Sequence, residues 1–176
     1  LNGDTLHQQK MTRIFPSSAL FYDAIYQNKE YQKEGAYVVQ SLREFDSTAK
    51  RILELGCGTG NYSFILRDHG FEILGIDASE KMISVANEKK SSLGEHNIDF
   101  ETCNSEDFHT DLEWDFAVSL FFMLGYQVSD ESIMKTFLAV RSCIRTGGIF
   151  AFDFWYGPSV IKKGCFPNEI RVETHN

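Results

Sequence analysis

Hydrophobic and polar positions along the chain change period repeatedly, and each change marks an element. A helical stretch is predicted from Ser18 (ALFYDAIY), and a second over residues 31–45, where Tyr37, Val38 and Leu42 recur at helical spacing. RILEL at 51–55 is a short strand that runs into a cluster of glycines. A helix over 61–69 is closed by Gly70, where a left-handed cap favours glycine. FEILGI at 71–76 is the second strand, and residues 79–93 form a helix opened by S-E-K-M and stopped near Gly94. IDFE at 98–101 gives a weak third strand. DFAVSLF at 115–121 is apolar at nearly every position, the pattern of a strand covered on both faces. Ile133, Phe137, Val140 and Ile144 line one stripe of a helix over 133–144, Thr146-Gly147-Gly148 is a turn, and IFAFDF at 149–154 is the fifth strand. Five strands alternating with helices imply an α/β fold, a doubly wound, mostly parallel sheet with right-handed crossovers. Ligands of such sheets sit beyond the carboxyl ends of the strands.

Composition narrows the classes. The 176 residues, 43% of them hydrophobic, suffice for one domain with a real core. A formal net charge of −8 repels phosphate backbones, so nucleic acid is a poor partner and a small molecule a better one. The longest nearly apolar run, 117–124, is far shorter than the ~20 residues that span a bilayer, so no transmembrane helix and no membrane partner are expected. LNGDTLHQQK at the start lacks the basic and apolar regions of a secretory signal. Cys57, Cys103, Cys143 and Cys165 show neither a C-x-x-C pair nor zinc spacing, which reads as reduced thiols in a cytoplasmic protein without metal. His7, His69, His96, His109 and His175 form no triad, and Lys81, Lys89 and Lys90 read as a solvated helix face.

The chemistry concentrates in the loop Glu54-Leu55-Gly56-Cys57-Gly58-Thr59-Gly60, between the first strand and a helix. Glycines there let the backbone approach a ligand closely, although a tight turn alone would also use them. Asp77 ends the second strand, where a carboxylate can accept both ribose hydroxyls of a nucleoside or stabilise the next helix through its dipole; both roles stay open. A dinucleotide fingerprint would place its third glycine at position 61, and Asn61 stands there.

ILELGCGTG at 52–60, in this context, resembles the first motif of the class I S-adenosylmethionine-dependent methyltransferases, and the resemblance extends over about residues 21–158. It implies a Rossmann-like sheet of the class I methyltransferase type. It implies S-adenosyl-L-methionine as cofactor, S-adenosyl-L-homocysteine as product, and no metal. By this resemblance Glu54, Gly56, Cys57, Gly58, Thr59 and Gly60 surround the methionine moiety and Asp77 holds the ribose. Ala78 and Met82 flank the adenine, Asn104 and Ser105 read its edge, and Leu120 also lines the cofactor. Asn104 replaces the Asp of many members, and its amide oxygen can still accept from the adenine amino group.

FYDAIYQNKEY at 21–31, SLFFMLGYQ at 119–127 and FDFWYGPS at 152–159 resemble the N,N-dimethyltransferases of amino sugars. This implies a segment with Tyr22 and Tyr31 folded over the cofactor, Tyr22 and Tyr126 at the reacting centre, and Tyr126, Asp153, Trp155 and Tyr156 around the substrate. Electron-rich rings there would attract a sulfonium or an ammonium, though any one of them could equally serve packing. Asp153 either binds the substrate or caps a neighbouring loop. The expected organisation is an N-terminal helical cap over residues 1–46, a cofactor-binding core over 47–158, and the start of a C-terminal substrate-binding or hairpin portion over 159–176.

The resemblance further implies a domain truncated after strand five. Phe150, Phe152 and Phe154 would then be poorly covered, an association hazard that leaves a homodimer open. The expected function is methyl transfer to a small-molecule acceptor, an amine nitrogen of an amino sugar. The alternatives are an O-methyltransferase, an NAD-dependent oxidoreductase and a non-catalytic cofactor-binding module.

Overall fold

The structure, a computed structural model, describes Ala19, residues 21–94 and residues 96–154. Five parallel strands, β1 (Arg51–Leu55), β2 (Glu72–Asp77), β3 (Ile98–Thr102), β4 (Trp114–Ser119) and β5 (Ile144–Phe152), form one sheet in the order β3-β2-β1-β4-β5. The chain winds outward from β1 to β3 and then returns to place β4 against the other side of β1. The crevice where that order reverses lies at the carboxyl ends of β1 and β4. This is the doubly wound α/β sheet that the sequence predicts.

Five α-helices accompany it among the described residues: α1 (Tyr22–Ile25), α2 (Tyr31–Phe45), α3 (Asn61–Asp68), α4 (Glu80–Leu93) and α5 (Asp130–Cys143). The pleat sends alternate side chains of β1 to opposite layers. Ile52 joins Leu42, Leu66, Phe71, Phe116 and Val118 in one cluster, while Leu53 and Leu55 join Ile76, Ala117 and Val140 in the other. Burying one such side chain contributes about 1.5–3 kcal/mol, so β1, nearly enclosed along its length, is the rigid base of the site. At the amino ends of the strands, away from that site, the Asp115 carboxylate accepts from the Lys50 and Arg51 amides at 2.7 and 2.9 Å and from Arg145 Nε at 2.7 Å. No helix among the described residues is long and apolar enough to cross a membrane.

Several boundaries differ from the sequence reading, each for a physical reason. Of the helical stretch expected from Ser18, the described residues show a single turn, Tyr22–Ile25, with Ala19 in a turn. Helix α5 begins at Asp130, not at 133, because the Ser129 hydroxyl accepts from the Ser132 amide at 3.1 Å and Asp130 and Glu131 suit the positive end of the helix dipole. Strand β4 starts one residue earlier and ends at Ser119, two residues early, because Phe121 and Phe122 both take φ of 61°. The Thr146-Gly147-Gly148 turn lies inside β5 as a bulge: Trp114 pairs with Ile144, and Phe116 already pairs with Ile149. Gly147 has φ of 81°, and a Cβ on Gly148 would lie 2.6 Å from the Asp115 carbonyl oxygen, so the bulge needs both glycines. On this outer strand Phe152 is 40% exposed and Phe154 beyond it 70%.

Candidate functional site

Where β1 ends, the backbone turns across the end of β2. The Gly56 and Cys57 amides both donate to the Ile76 carbonyl, at 2.8 and 3.0 Å. Gly56 and Gly60 both have positive φ, and a Cβ on either would collide, with Met123 Cγ at 2.1 Å and with Phe100 Cζ at 2.7 Å. Around Gly58 the space is open. The loop therefore presents bare backbone at the switch point, and α3 starts directly behind it. Asp77 closes the cradle from β2. Its Oδ2 accepts from the Gly58 amide at 2.9 Å and its Oδ1 from the Ser79 amide at 2.8 Å, so it joins the loop to the start of α4. A carboxylate has about four lone-pair sites, so two remain for a ligand's hydroxyls.

The electrostatics of this hollow are acidic and poorly solvated. Glu54, 2% exposed, accepts a short hydrogen bond from the Ser63 hydroxyl. Burial pushes its carboxyl up to about 8; the Ser63 bond opposes this and the nearby Asp77 reinforces it. Burial also raises Asp77, against the pull of the Ser79 and Gly58 amides, and raises the Cys57 thiol. A cationic ligand beside these two poorly solvated carboxyl groups would favour their ionised forms, and a pyrophosphate would oppose them.

A cap formed by α1 and the start of α2 adjoins the loop. Asp23 Oδ1 accepts from the Thr59 hydroxyl at 2.7 Å and from Asn61 Nδ2 at 2.9 Å, and its Oδ2 pairs with Lys89 at 2.7 Å. Burial would raise Asp23, but the bonds from Lys89, Thr59 and Asn61 outweigh it and hold the carboxylate below its ordinary range. Lys89 is thus not the solvated lysine expected from the sequence, and neither is Lys90, whose side chain is 24% exposed and pairs with Asp99. Tyr22 packs against Tyr26 with the rings tilted and their centroids 4.8 Å apart, Tyr26 meets the edge of Phe121 at 5.0 Å, and Tyr31 meets Tyr62 at 5.0 Å. Burial and the neighbouring Tyr31, Tyr26 and Tyr126 raise the Tyr22 phenol strongly. The Lys29 ammonium lies 4.4 Å from the Phe121 ring centroid and 5.4 and 5.7 Å from those of Tyr31 and Tyr62, so this aromatic cage already holds a cation of the chain itself.

The remaining predicted residues fall into three groups. Met82 and Leu120 are buried near the crevice, Ala78 is exposed at the end of β2, and Tyr126 is half-exposed with its phenol raised by burial. The Asn104 side-chain amide donates to Asp107 at 3.2 Å. The Ser105 hydroxyl is taken up by Gln127, at 2.9 Å, and by Thr136, at 3.3 Å. Trp155 and Tyr156 lie outside the described residues.

Asp153 takes the loop-capping role. Its two carboxylate oxygens accept from the Phe121 amide at 2.8 Å and the Phe122 amide at 2.6 Å. A non-glycine residue in the left-handed region costs roughly 1–2 kcal/mol, and here two follow one another. Asp153→Ala is expected to destabilise the chain by about 1–3 kcal/mol through those unmet amides. Amide exchange in residues 120–126 should quicken while that of β1 does not change.

The family described as "Methyltransferase domain" matches residues 52–148, more than half of the chain. YqeM of Bacillus subtilis, named as a methyltransferase, is 32% identical over 140 residues, covering 80% of this chain and 55% of its own length. A dTDP-3-amino-3,4,6-trideoxy-alpha-D-glucopyranose N,N-dimethyltransferase from Streptomyces venezuelae is 23% identical over 151 residues, 85% of this chain and 62% of that protein. Among solved structures, S-adenosylmethionine-bound CalS10, an amino pentose methyltransferase from Micromonospora echinaspora, superposes with a TM-score of 0.71 at 20% identity, over 79% of this chain and 58% of that one. The chain spans about half the length of the curated relatives it matches. The glycine loop, the acidic strand end and the order of the sheet thus meet in one assignment: the chain belongs to the methyltransferase domain family and carries the class I S-adenosylmethionine-dependent fold.

Proposed function

We propose that the chain binds S-adenosylmethionine and serves methyl transfer to a small-molecule acceptor, the amine nitrogen of an amino sugar. One observation carries the cofactor reading: the buried carboxyl groups of Glu54 and Asp77 flank an open glycine loop at the switch point of the sheet. A ligand with an ammonium and a sulfonium at one end and ribose hydroxyls at the other matches that charge and those acceptors. A nicotinamide dinucleotide would bring its pyrophosphate against Glu54 and meet Asn61 instead of a third glycine. The amino-sugar acceptor draws support from the names of the Streptomyces venezuelae and Micromonospora echinaspora relatives.

In this reading the cofactor supplies an electrophilic methyl group on its sulfonium. The chain's work is alignment and exclusion of water. Orientation alone can provide up to about 7–11 kcal/mol of such a barrier, and a neutral amine brings its own lone pair. Glu54 and the loop from Gly56 to Gly60, with Cys57 and Thr59, hold the methionine end. Asp77 holds the ribose, and Ala78, Met82, Asn104, Ser105 and Leu120 enclose the base. Tyr22 and Tyr31 shield the cofactor from the cap side. Tyr22 and Tyr126, phenols that burial keeps protonated, face the reacting centre, and Tyr126 orients the acceptor through its hydroxyl. Asp153 shapes the acceptor side by fixing the loop after β4.

Calorimetric titration of the chain with S-adenosylmethionine and, separately, with NAD tests the reading. Saturable heat with the methyl donor and its demethylated product, and none with NAD, is the expected outcome. A folded chain that takes up NAD, or neither ligand, would sink it.

A further inference from the structure

Lys89 lies on α4, about two and a half turns from the start of that helix, yet its ammonium does not point to water. It donates to the Thr59 carbonyl at 3.0 Å and to Asn61 Oδ1 at 3.0 Å, and it pairs with Asp23 Oδ2 at 2.7 Å. Three acceptors for three N–H groups leave the ammonium fully satisfied. The acceptors come from three separate places: the middle of the glycine loop, the first residue of α3, and the cap. They are also bonded to one another. Thr59 and Asn61 both donate to Asp23 Oδ1, at 2.7 and 2.9 Å, so the four residues form a closed ring.

We propose that Lys89 is a positioning residue for the cofactor loop, and that it couples closure of the cap to the order of that loop. The Thr59 carbonyl belongs to the peptide between Thr59 and Gly60. Fixing it sets how the loop's backbone faces the open space over Gly58. With Oδ1 of Asn61 held by Lys89, the same amide turns its NH2 group to Asp23, so removing the ammonium loosens the cap contact as well. An ordinary exposed ion pair contributes about 0–1 kcal/mol. This one differs, because the Thr59 side is buried, the Lys89 side chain is only 27% exposed, and each bond is charge-assisted. The aliphatic stem runs along the buried stripe of α4: Met82 and Ala86 are buried, and Lys89 follows Met82 by seven residues, two helical turns. The cofactor part of this inference rests on the function proposed above; the coupling of cap and loop does not.

Two measurements on the whole chain separate those parts. The first is the affinity for S-adenosylmethionine of the wild type, Lys89→Met and Lys89→Arg. The second is hydrogen exchange without ligand, compared between residues 21–34, residues 56–61 and the strands. Lys89→Met should weaken binding about tenfold, and Lys89→Arg, which keeps the charge, should recover most of that loss. Exchange in Lys89→Met should quicken together in the cap and the loop and leave β1 and β4 unchanged. Unchanged affinity in a folded Lys89→Met variant, or acceleration spread evenly through the sheet, overturns the proposal. If the wild type binds no S-adenosylmethionine, the functional reading fails, and exchange alone then decides the coupling: joint acceleration of cap and loop supports it, and its absence refutes it. If Lys89→Met does not fold, Asn61→Ala, which removes the side chain bonded to both Lys89 and Asp23, is read by the same two measurements and the same outcomes.

Discussion

Asp77→Ala is expected to weaken S-adenosylmethionine binding by at least about 100-fold while leaving a folded chain. A hydrogen bond to a charged group is worth about 1.5–3 kcal/mol, and the ribose would offer two of them to this carboxylate. The substitution also frees the Gly58 amide, so the loop loses its anchor to β2. Stability should change much less than affinity. Burial already penalises the ionised Asp77, so removing it relieves a desolvation cost while it removes the bond to the Ser79 amide at the start of α4. Calorimetry for affinity and a thermal midpoint for stability check both halves. Asp77→Asn separates the two functions of the side chain, since the amide keeps one acceptor and loses the charge. An intermediate affinity would assign part of the effect to the anchored loop, and wild-type affinity in Asp77→Ala would remove the ribose role altogether.

The parts of this molecule legible in the sequence are those where local pattern and tertiary demand agree. The short RILEL segment at 51–55, running into glycines, and the nearly apolar run at 115–121 gave buried central strands, and the glycine cluster with Asp77 gave the two halves of the cradle at the switch point. What escaped reading depends on contacts distant in sequence. Phe121 and Phe122 carry no glycine-like signal for the left-handed region; they are held there by Asp153, about thirty residues away. The glycines at 147 and 148 look like a turn because a bulge uses the same residue type, and only the pairing with β4 distinguishes them. Lys89 had a signal that was available. Lys81 is exposed, whereas Lys89 and Lys90 follow the buried Met82 and Ile83 by seven positions and fall at the buried stripe of α4. A lysine beside an apolar stripe needs a partner off its own helix, and for Lys89 that partner, Asp23, stands 66 residues earlier in the chain.

Glu54 gives the second large expectation, and its two effects have opposite signs in pH. The folded chain holds this carboxyl near 8 against an ordinary 4.5, so between those values the folded state keeps a proton that the unfolded state has lost. Its contribution to stability is complete below 4.5 and is lost as pH rises through 8, an amount on the order of a few kcal/mol. Ligand binding runs the other way. A cationic group beside Glu54 favours the carboxylate, so S-adenosylmethionine bound at pH 7 should expel a proton, and its affinity should rise toward pH 8 and then level. Titrations at pH 7 in buffers of different ionisation enthalpy measure that proton directly. Glu54→Gln keeps the shape and the neutral charge of the protonated acid and can still bond Ser63. It should release no proton, bind about tenfold or more weakly, and be more stable than the wild type above pH 8. The difference between wild type and variant isolates the proton that belongs to Glu54. Equal proton release from both would mean that Glu54 does not change its protonation when the ligand arrives, and the coupling between the bound cation and this carboxyl would fail.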